Sequence, residues 1–266
     1  MNYKHEAAQA RLKILEMVHG AQTSHIGSNF SVVDIATVLY DTMKIDKDLK
    51  PDRDRLIWSK GWAAATAYYF LAKYGILEWD KLANFGHDNS GLLGLVERGT
   101  KGIEASTGSM GHGLPIGVGM ALGAKRVNSP SRVFVVMSDG EMDCGTTWES
   151  ALLAAHHKLD NLVVIVDCNR WQATGRTNDV LKTEPLDAKF RAFGWFPFSV
   201  DGHDHDALKH ALHFTRYFNI GSPLVVLAHT VKGKGVSFME DKLEWHYKNV
   251  DDESFAKAKA EIEKQL

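Results

Sequence analysis

Apolar positions along this chain follow two rhythms. In the first third they recur at helical spacing. Leu12, Leu15 and Val18 mark a helix over residues 6 to 19. Val32, Ile35, Leu39 and Met43 mark a second, with Ser31 as candidate N-cap, and a third runs from Trp62 to Tyr74 with Gly75 as its stop. From residue 132 the rhythm changes to short unbroken apolar runs alternating with helical stretches. The strands read as 132 to 137, 161 to 167, a short run ending at Val200, and 223 to 231; the helices read as 147 to 157, 186 to 193 and 204 to 217. Continuous apolar strands such as NLVVIVD suit a sheet covered on both faces, because a half-exposed strand would alternate with polar residues. The pattern predicts an α/β fold, a mainly parallel sheet with helices on both faces. Residues 251 to 266 read as a charged amphipathic tail. With no internal repeat, Pro-rich linker or low-complexity block, residues 1 to 266 read as a single domain.

Composition narrows the function. Lys and Arg total 31 against 33 for Asp and Glu, with no basic run, so a nucleic-acid surface has little support and a small-molecule ligand fits better. The two cysteines, Cys144 and Cys168, form neither a disulfide framework nor a CxxC pair, which points to a reducing compartment. The polar N-terminus and the lack of any bilayer-length apolar run make a cytoplasmic location the expectation.

Chemistry concentrates at two strand ends. Ser138-Asp139-Gly140 follows the strand 132 to 137, and Asn169 follows the strand 161 to 167. In open parallel sheets ligands bind at the carboxyl ends of strands, and one strand-helix-strand unit separates the two residues, which returns them to the same edge. One charged and one neutral oxygen suit Mg2+, which takes few protein groups and completes its shell with phosphate and water. Taken alone, Asp139-Gly140 also reads as an ordinary turn and Asn169 as an ordinary cap. A second element, Ser106 to Pro115, has the small residues that let backbone N–H groups approach an anion, with Pro115 placed for a first helical turn. The other reading is a loop feeding a helix whose Gly117, Gly119 and Gly123 permit close packing. No Gly-x-Gly-x-x-Gly with a following acidic residue supports a dinucleotide site.

Together, SDGEMDCGTTWESA (138 to 151) and LDNLVVIVDCNRWQATGRT (159 to 177) resemble the thiamine-diphosphate signature of transketolases. The resemblance extends through Thr23 to Gly27, Ser59-Lys60-Gly61, EASTGSMGHGL (104 to 114), AHTVKGKGVSFME (228 to 240) and Glu244-Trp245-His246, covering nearly the whole chain in the family's order. It implies thiamine diphosphate and Mg2+ as cofactors. Asp139, Asn169 and the Trp171 carbonyl are the implied metal ligands. Gly140 and the backbone of Gly108, Ser109 and Met110 lie by the diphosphate, Asn169 serves the cofactor too, and His25 and His246 face substrate and cofactor. It further implies a partner subunit carrying the pyrimidine-binding and C-terminal domains, as in two-subunit bacterial transketolases, in an assembly with two copies of each. Lys232 and Lys234 read equally well as phosphate binders or as part of a glycine-flanked turn, and are given no role.

Four positions depart from the family pattern. Trp62 and Leu95 stand where histidines are usual, Cys144 where a glutamate is usual and His112 where a glutamine is usual. A metal signature retained beneath thinned histidines points to ketol transfer, from a ketose to an aldose, with altered substrates. The alternatives are a cofactor-binding regulatory or weakened subunit, or a 2-oxoacid decarboxylating component.

Overall fold

The unbroken apolar runs become strands because each can bury both of its faces. A computed structural model describes residues 2–217 and 221–266. In chain order the elements are α1 (Tyr3–Gly20), α2 (Ile26–Thr42), β1 (Arg55–Trp58), α3 (Ala64–Lys73), α4 (Gly113–Arg126), β2 (Val133–Ser138) and α5 (Gly145–His156). There follow β3 (Leu162–Cys168), the short α6 (Thr177–Val180), α7 (Leu186–Ala192), β4 (Phe196–Asp201), α8 (His205–Tyr217), β5 (Leu224–His229) and α9 (Asp252–Glu263). The strands form one parallel sheet in the order β1-β2-β3-β5-β4. Every residue of β2 and β3 is buried, whereas β4, at the sheet edge, is partly exposed.

Side chains alternate between two cores, as the pleat of a strand requires. Phe134, Val136, Val163, Ile165 and Val226 enter one core with α1, α2, α3, α8 and α9; Val135, Met137, Val164, Val166 and Val225 enter the other with α4, α5 and α7. The expected α/β architecture, with helices on both faces, is therefore present. Gly117 belongs to the close-packing reading, since a Cβ there would sit 2.5 Å from the Val135 side chain; Gly119 and Gly123 face open space. Among the described residues, no helix is long and apolar enough to cross a membrane.

Two expectations need correction. Ser31 caps nothing: α2 begins at Ile26, and Ser31 is buried inside it with its hydroxyl 2.6 Å from Asp167 Oδ2. Because α2 is buried nearly all round, its apolar stripe carries little information about where it starts. The sequence pattern also conceals β1, whose four residues, Arg-Leu-Ile-Trp, are too few to show a period. The expected third helix opens instead with a 3-10 turn at Gly61–Ala63 before α3.

Candidate functional site

All five strands end on one edge, and Ser138 and Asp167 are partners in the β2–β3 register. The chain leaves both strands at one level, which brings Asp139 and Asn169 to adjoining loops. Asp139 Oδ2 accepts the N–H of Arg170 at 2.8 Å and Oδ1 the N–H of Gly140 at 3.1 Å. Burial pushes this carboxyl up to about 7, the nearby Asp167 charge adding to the effect. Asn169 donates through Nδ2 to Asp167 Oδ2 (3.2 Å), and its Oδ1 accepts the N–H of Trp171 at 3.0 Å. Asp167 thus decides which end of the amide is oxygen on the Trp171 side.

Asp167 itself is fully buried. Burial raises its pKa, but Lys60, Ser31 and Thr230 outweigh that and hold the carboxylate low. Lys60 is equally buried; its ammonium pairs with Asp167 and donates to the Ser28 carbonyl at 3.1 Å. A buried ion pair persists only with such added hydrogen bonds.

Above these groups lies a cleft of about 300 Å3 whose lining includes His25, His246, Gly108, Met110, Gly140, Asn169 and Trp171. Asp139 lies beneath, 6% exposed. Ser109 is separate: it is exposed, outside the lining, and its carbonyl faces His112 Nδ1 at 3.2 Å. Two of the departing residues, Trp62 and Leu95, form part of the wall.

Glycine is required where the cleft loops meet backbone to backbone. A Cβ on Gly61 would lie 2.3 Å from the Thr107 carbonyl oxygen, and Gly108 has φ +141 with Leu95 against it. These loops are tied by Glu141, to which the sequence pattern assigns no role. Its Oε1 accepts the Ser59 hydroxyl (2.5 Å) and the Gly111 N–H (3.0 Å), and its Oε2 accepts the Ser138 N–H (3.1 Å). Ser59 in turn accepts the Gly113 N–H at 3.1 Å, at the start of α4.

The two histidines meet edge to face, with centroids 5.0 Å apart, and the His25 N–H donates to the His246 carbonyl at 2.9 Å. Burial, then the charges of Lys232 and Lys60, brings His25 down to about 4. Burial, Lys232, His25 and Lys60 bring His246 down to about 3. Both imidazoles are neutral near pH 7. Lys232, given no role on sequence grounds, is 1% exposed, with Nζ 2.8 Å from His246 Nδ1. Burial and Lys60 lower its pKa to about 7. Lys234, two residues on, pairs with Glu240 near the surface, and nothing in the local sequence separates the two lysines.

The residues fit a magnesium diphosphate. One buried carboxylate whose hydrogen bonds, among the described residues, come only from backbone N–H groups, and one amide oxygen held in orientation, supply hard oxygen donors beside the cleft. Among the described residues no cluster of three His, Cys, Asp or Glu side chains is placed to hold a metal; this donor set has a different composition.

The fold and cleft define an α/β protein with a cleft at the carboxyl edge of its parallel sheet. Residues 3–264 match the family model described as transketolase, thiamine diphosphate binding domain, and the chain belongs to that family. It is 42% identical over 228 residues to an apulose-4-phosphate transketolase subunit of Actinobacillus succinogenes, covering 84% of this chain and 82% of that protein. It is 35% identical over 269 residues to the 6-deoxy-6-sulfo-D-fructose transketolase subunit SqwG of Clostridium sp. (strain MSTE9), covering 100% and 98%. The structure of transketolase from Campylobacter jejuni superimposes with a TM-score of 0.91 at 29% identity, over 99% of this chain and 43% of that one. The chain therefore spans most or nearly all of the subunit-type relatives and under half of the transketolase structure.

Proposed function

We propose that this chain is the cofactor-anchoring subunit of a two-subunit, cytoplasmic, thiamine-diphosphate- and Mg2+-dependent transketolase. It acts as one diphosphate-binding domain over residues 1 to 266, and a partner subunit carries the pyrimidine-binding and C-terminal domains, two copies of each making the assembly. The reaction moves a two-carbon ketol unit from a ketose to an aldose. The names of the two subunit-type relatives, one a sugar phosphate and one a sulfo-sugar transketolase, favour a ketose with an anionic terminus as donor.

The observation that carries this reading is the meeting of Asp139 and Asn169 beside a glycine-lined cleft that also holds two neutral imidazoles. In it Asp139, Asn169 and the Trp171 carbonyl would hold Mg2+, while Gly140 and the backbone at Gly108 and Met110 would approach the diphosphate. When bound, thiamine diphosphate supplies the nucleophilic carbon and electron sink for cleavage beside a ketone. The chain's residues do the rest. When charged, Lys232 can only donate to Nδ1 of His246, and that state leaves the ring's proton on Nε2, able to hydrogen-bond a sugar hydroxyl. His25, neutral as well, faces the same space. Trp62 and Leu95 supply an apolar stretch of the same wall.

Their apolar character also favours a second reading, a cofactor-binding regulatory subunit. One assay separates the two: the chain and its partner subunit, with thiamine diphosphate and Mg2+, are given phosphorylated and sulfonated ketoses with an aldose phosphate acceptor. Ketol transfer that needs both chains is expected. Turnover by this chain alone, no turnover with any donor, or release of CO2 from a 2-oxoacid in place of ketol transfer would refute the proposal.

A further inference from the structure

The loop after β3 is a hairpin held from outside. Trp171 and Arg176 form an isolated antiparallel bridge, and the Gln172 N–H donates to the Gly175 carbonyl at 2.8 Å. The Arg176 guanidinium stacks on the Trp171 ring, 3.7 Å from its centroid. Both side chains then converge on one carboxylate from a distant segment. Asp241 Oδ1 accepts Trp171 Nε1–H at 2.8 Å and Arg176 Nη1–H at 2.6 Å, and Oδ2 accepts Arg176 Nη2–H at 2.6 Å. Asp241 adopts φ +59, and its own N–H donates to the Lys232 carbonyl at 2.8 Å.

Asp241 thus lies between Lys232 and His246 in sequence, is anchored to the first by its backbone, and grips the hairpin that carries Asn169 and Trp171. Exposed ion pairs contribute little by themselves, and these side chains are a third to a half exposed. This one differs in being bidentate, stacked and shared with an indole N–H, so its geometry is fixed in three directions.

We propose that Asp241, acting with Arg176, is a positioning residue. It sets the 169–177 hairpin, and with it the Trp171 carbonyl and the Asn169 amide, against the segment that bears Lys232 and His246. The two ends of the cleft are thereby ordered together before ligand arrives. The inference rests on the cofactor reading above only for the identity of the ligand served.

Hydrogen exchange on the ligand-free full chain tests it without any cofactor. In Asp241→Ala the Arg170 and Trp171 amides, which donate to Asp139 and Asn169, exchange at least tenfold faster while the amides of β2 and β3 keep their protection. Arg176→Lys, which keeps the charge and loses the fork and the stacking, gives a smaller change in the same amides and serves if the alanine variant does not fold. Unchanged protection at Arg170 and Trp171 overturns the proposal. Thiamine diphosphate titrated with Mg2+ is the second readout: about tenfold weaker binding in Asp241→Ala, partly restored in Asp241→Asn, which keeps an acceptor for the indole. Equal affinity in wild type and Asp241→Ala overturns the clasp. A wild-type chain that binds no cofactor, alone or assembled, overturns the cofactor reading, and the exchange data then decide the clasp.

Discussion

Lys232 and His246 are joined through Nζ and Nδ1 at 2.8 Å inside the protein, so the lysine, itself brought down to about 7, opposes a positive charge on the imidazole. Burial is the larger cause of the low imidazole pKa and the lysine charge the next. Protonating the ring would place two positive groups in contact in a site from which water is largely excluded.

The first prediction concerns those rings. His25, at about 4, and His246, at about 3, stay neutral as pH falls from 8 to 5, which nitrogen chemical shifts of the two imidazoles will show. Since both folded values lie below the ordinary histidine value, the unfolded chain binds protons first. Their contribution to stability is complete above about 6.5 and is lost as pH falls toward 4 and then 3. In Lys232→Met both values rise part of the way toward the ordinary one; titration near 6.5 in the wild type contradicts the account.

A second prediction separates stability from binding at Asp139. Its carboxylate is buried, and burial disfavours its charge. Asp139→Asn removes that charge and keeps an acceptor for the Arg170 N–H, so the ligand-free melting temperature does not fall, while affinity for thiamine diphosphate in Mg2+ drops by at least about a hundredfold, the upper end of what loss of a mere outer-shell partner costs. Calorimetry and thermal melts on one preparation check both halves.

Glu141 behaves oppositely. Glu141→Ala leaves the Ser59 hydroxyl and the Gly111 and Ser138 N–H groups without their acceptor in a buried place. The cost is about 3 kcal/mol, at the upper end for a lost buried acceptor, and Glu141→Gln costs about 1 kcal/mol because one acceptor oxygen remains. Chemical denaturation measures both; losses under about 0.5 kcal/mol in the alanine variant, the level of an ordinary surface change, contradict the assigned role.

The cleft wall gives a prediction about substrate. Leu95, 44% exposed, and Trp62 present no acceptor to a sugar hydroxyl. Leu95→His raises kcat/KM for ketose phosphates about tenfold over the wild type, near the value of one hydrogen bond to a hydroxyl. If neither Leu95→His nor Trp62→His turns over any ketose with the partner present, the regulatory reading stands in its place.

The legibility of this chain followed the physics of its elements. β2, β3 and β5 were visible because burial on both faces leaves an unbroken apolar run, and their ends located Asp139 and Asn169. The start of α2 was hidden for the converse reason: its residues are buried all round, so Ser31 looked like a cap when its hydroxyl faces Asp167. Lys232 and Asp241 were invisible as site residues because each works through contacts made 14 or more residues away, and for Glu141 the Ser138-x-x-Glu141 spacing of a capping box records the bond to Ser138 but not those to Ser59 and Gly111. Lys60 could be quoted as part of a block resembling the family, but its pairing with Asp167 needs two strand ends to meet first.

The most direct test of the central claim is calorimetric titration of thiamine diphosphate into this chain assembled with its partner subunit, once with Mg2+ and once with a chelator. The account predicts saturable binding, one cofactor per copy of this chain, that disappears with the chelator and in Asp139→Ala. Binding that is equally tight without a divalent cation, or undiminished in Asp139→Ala, would contradict it.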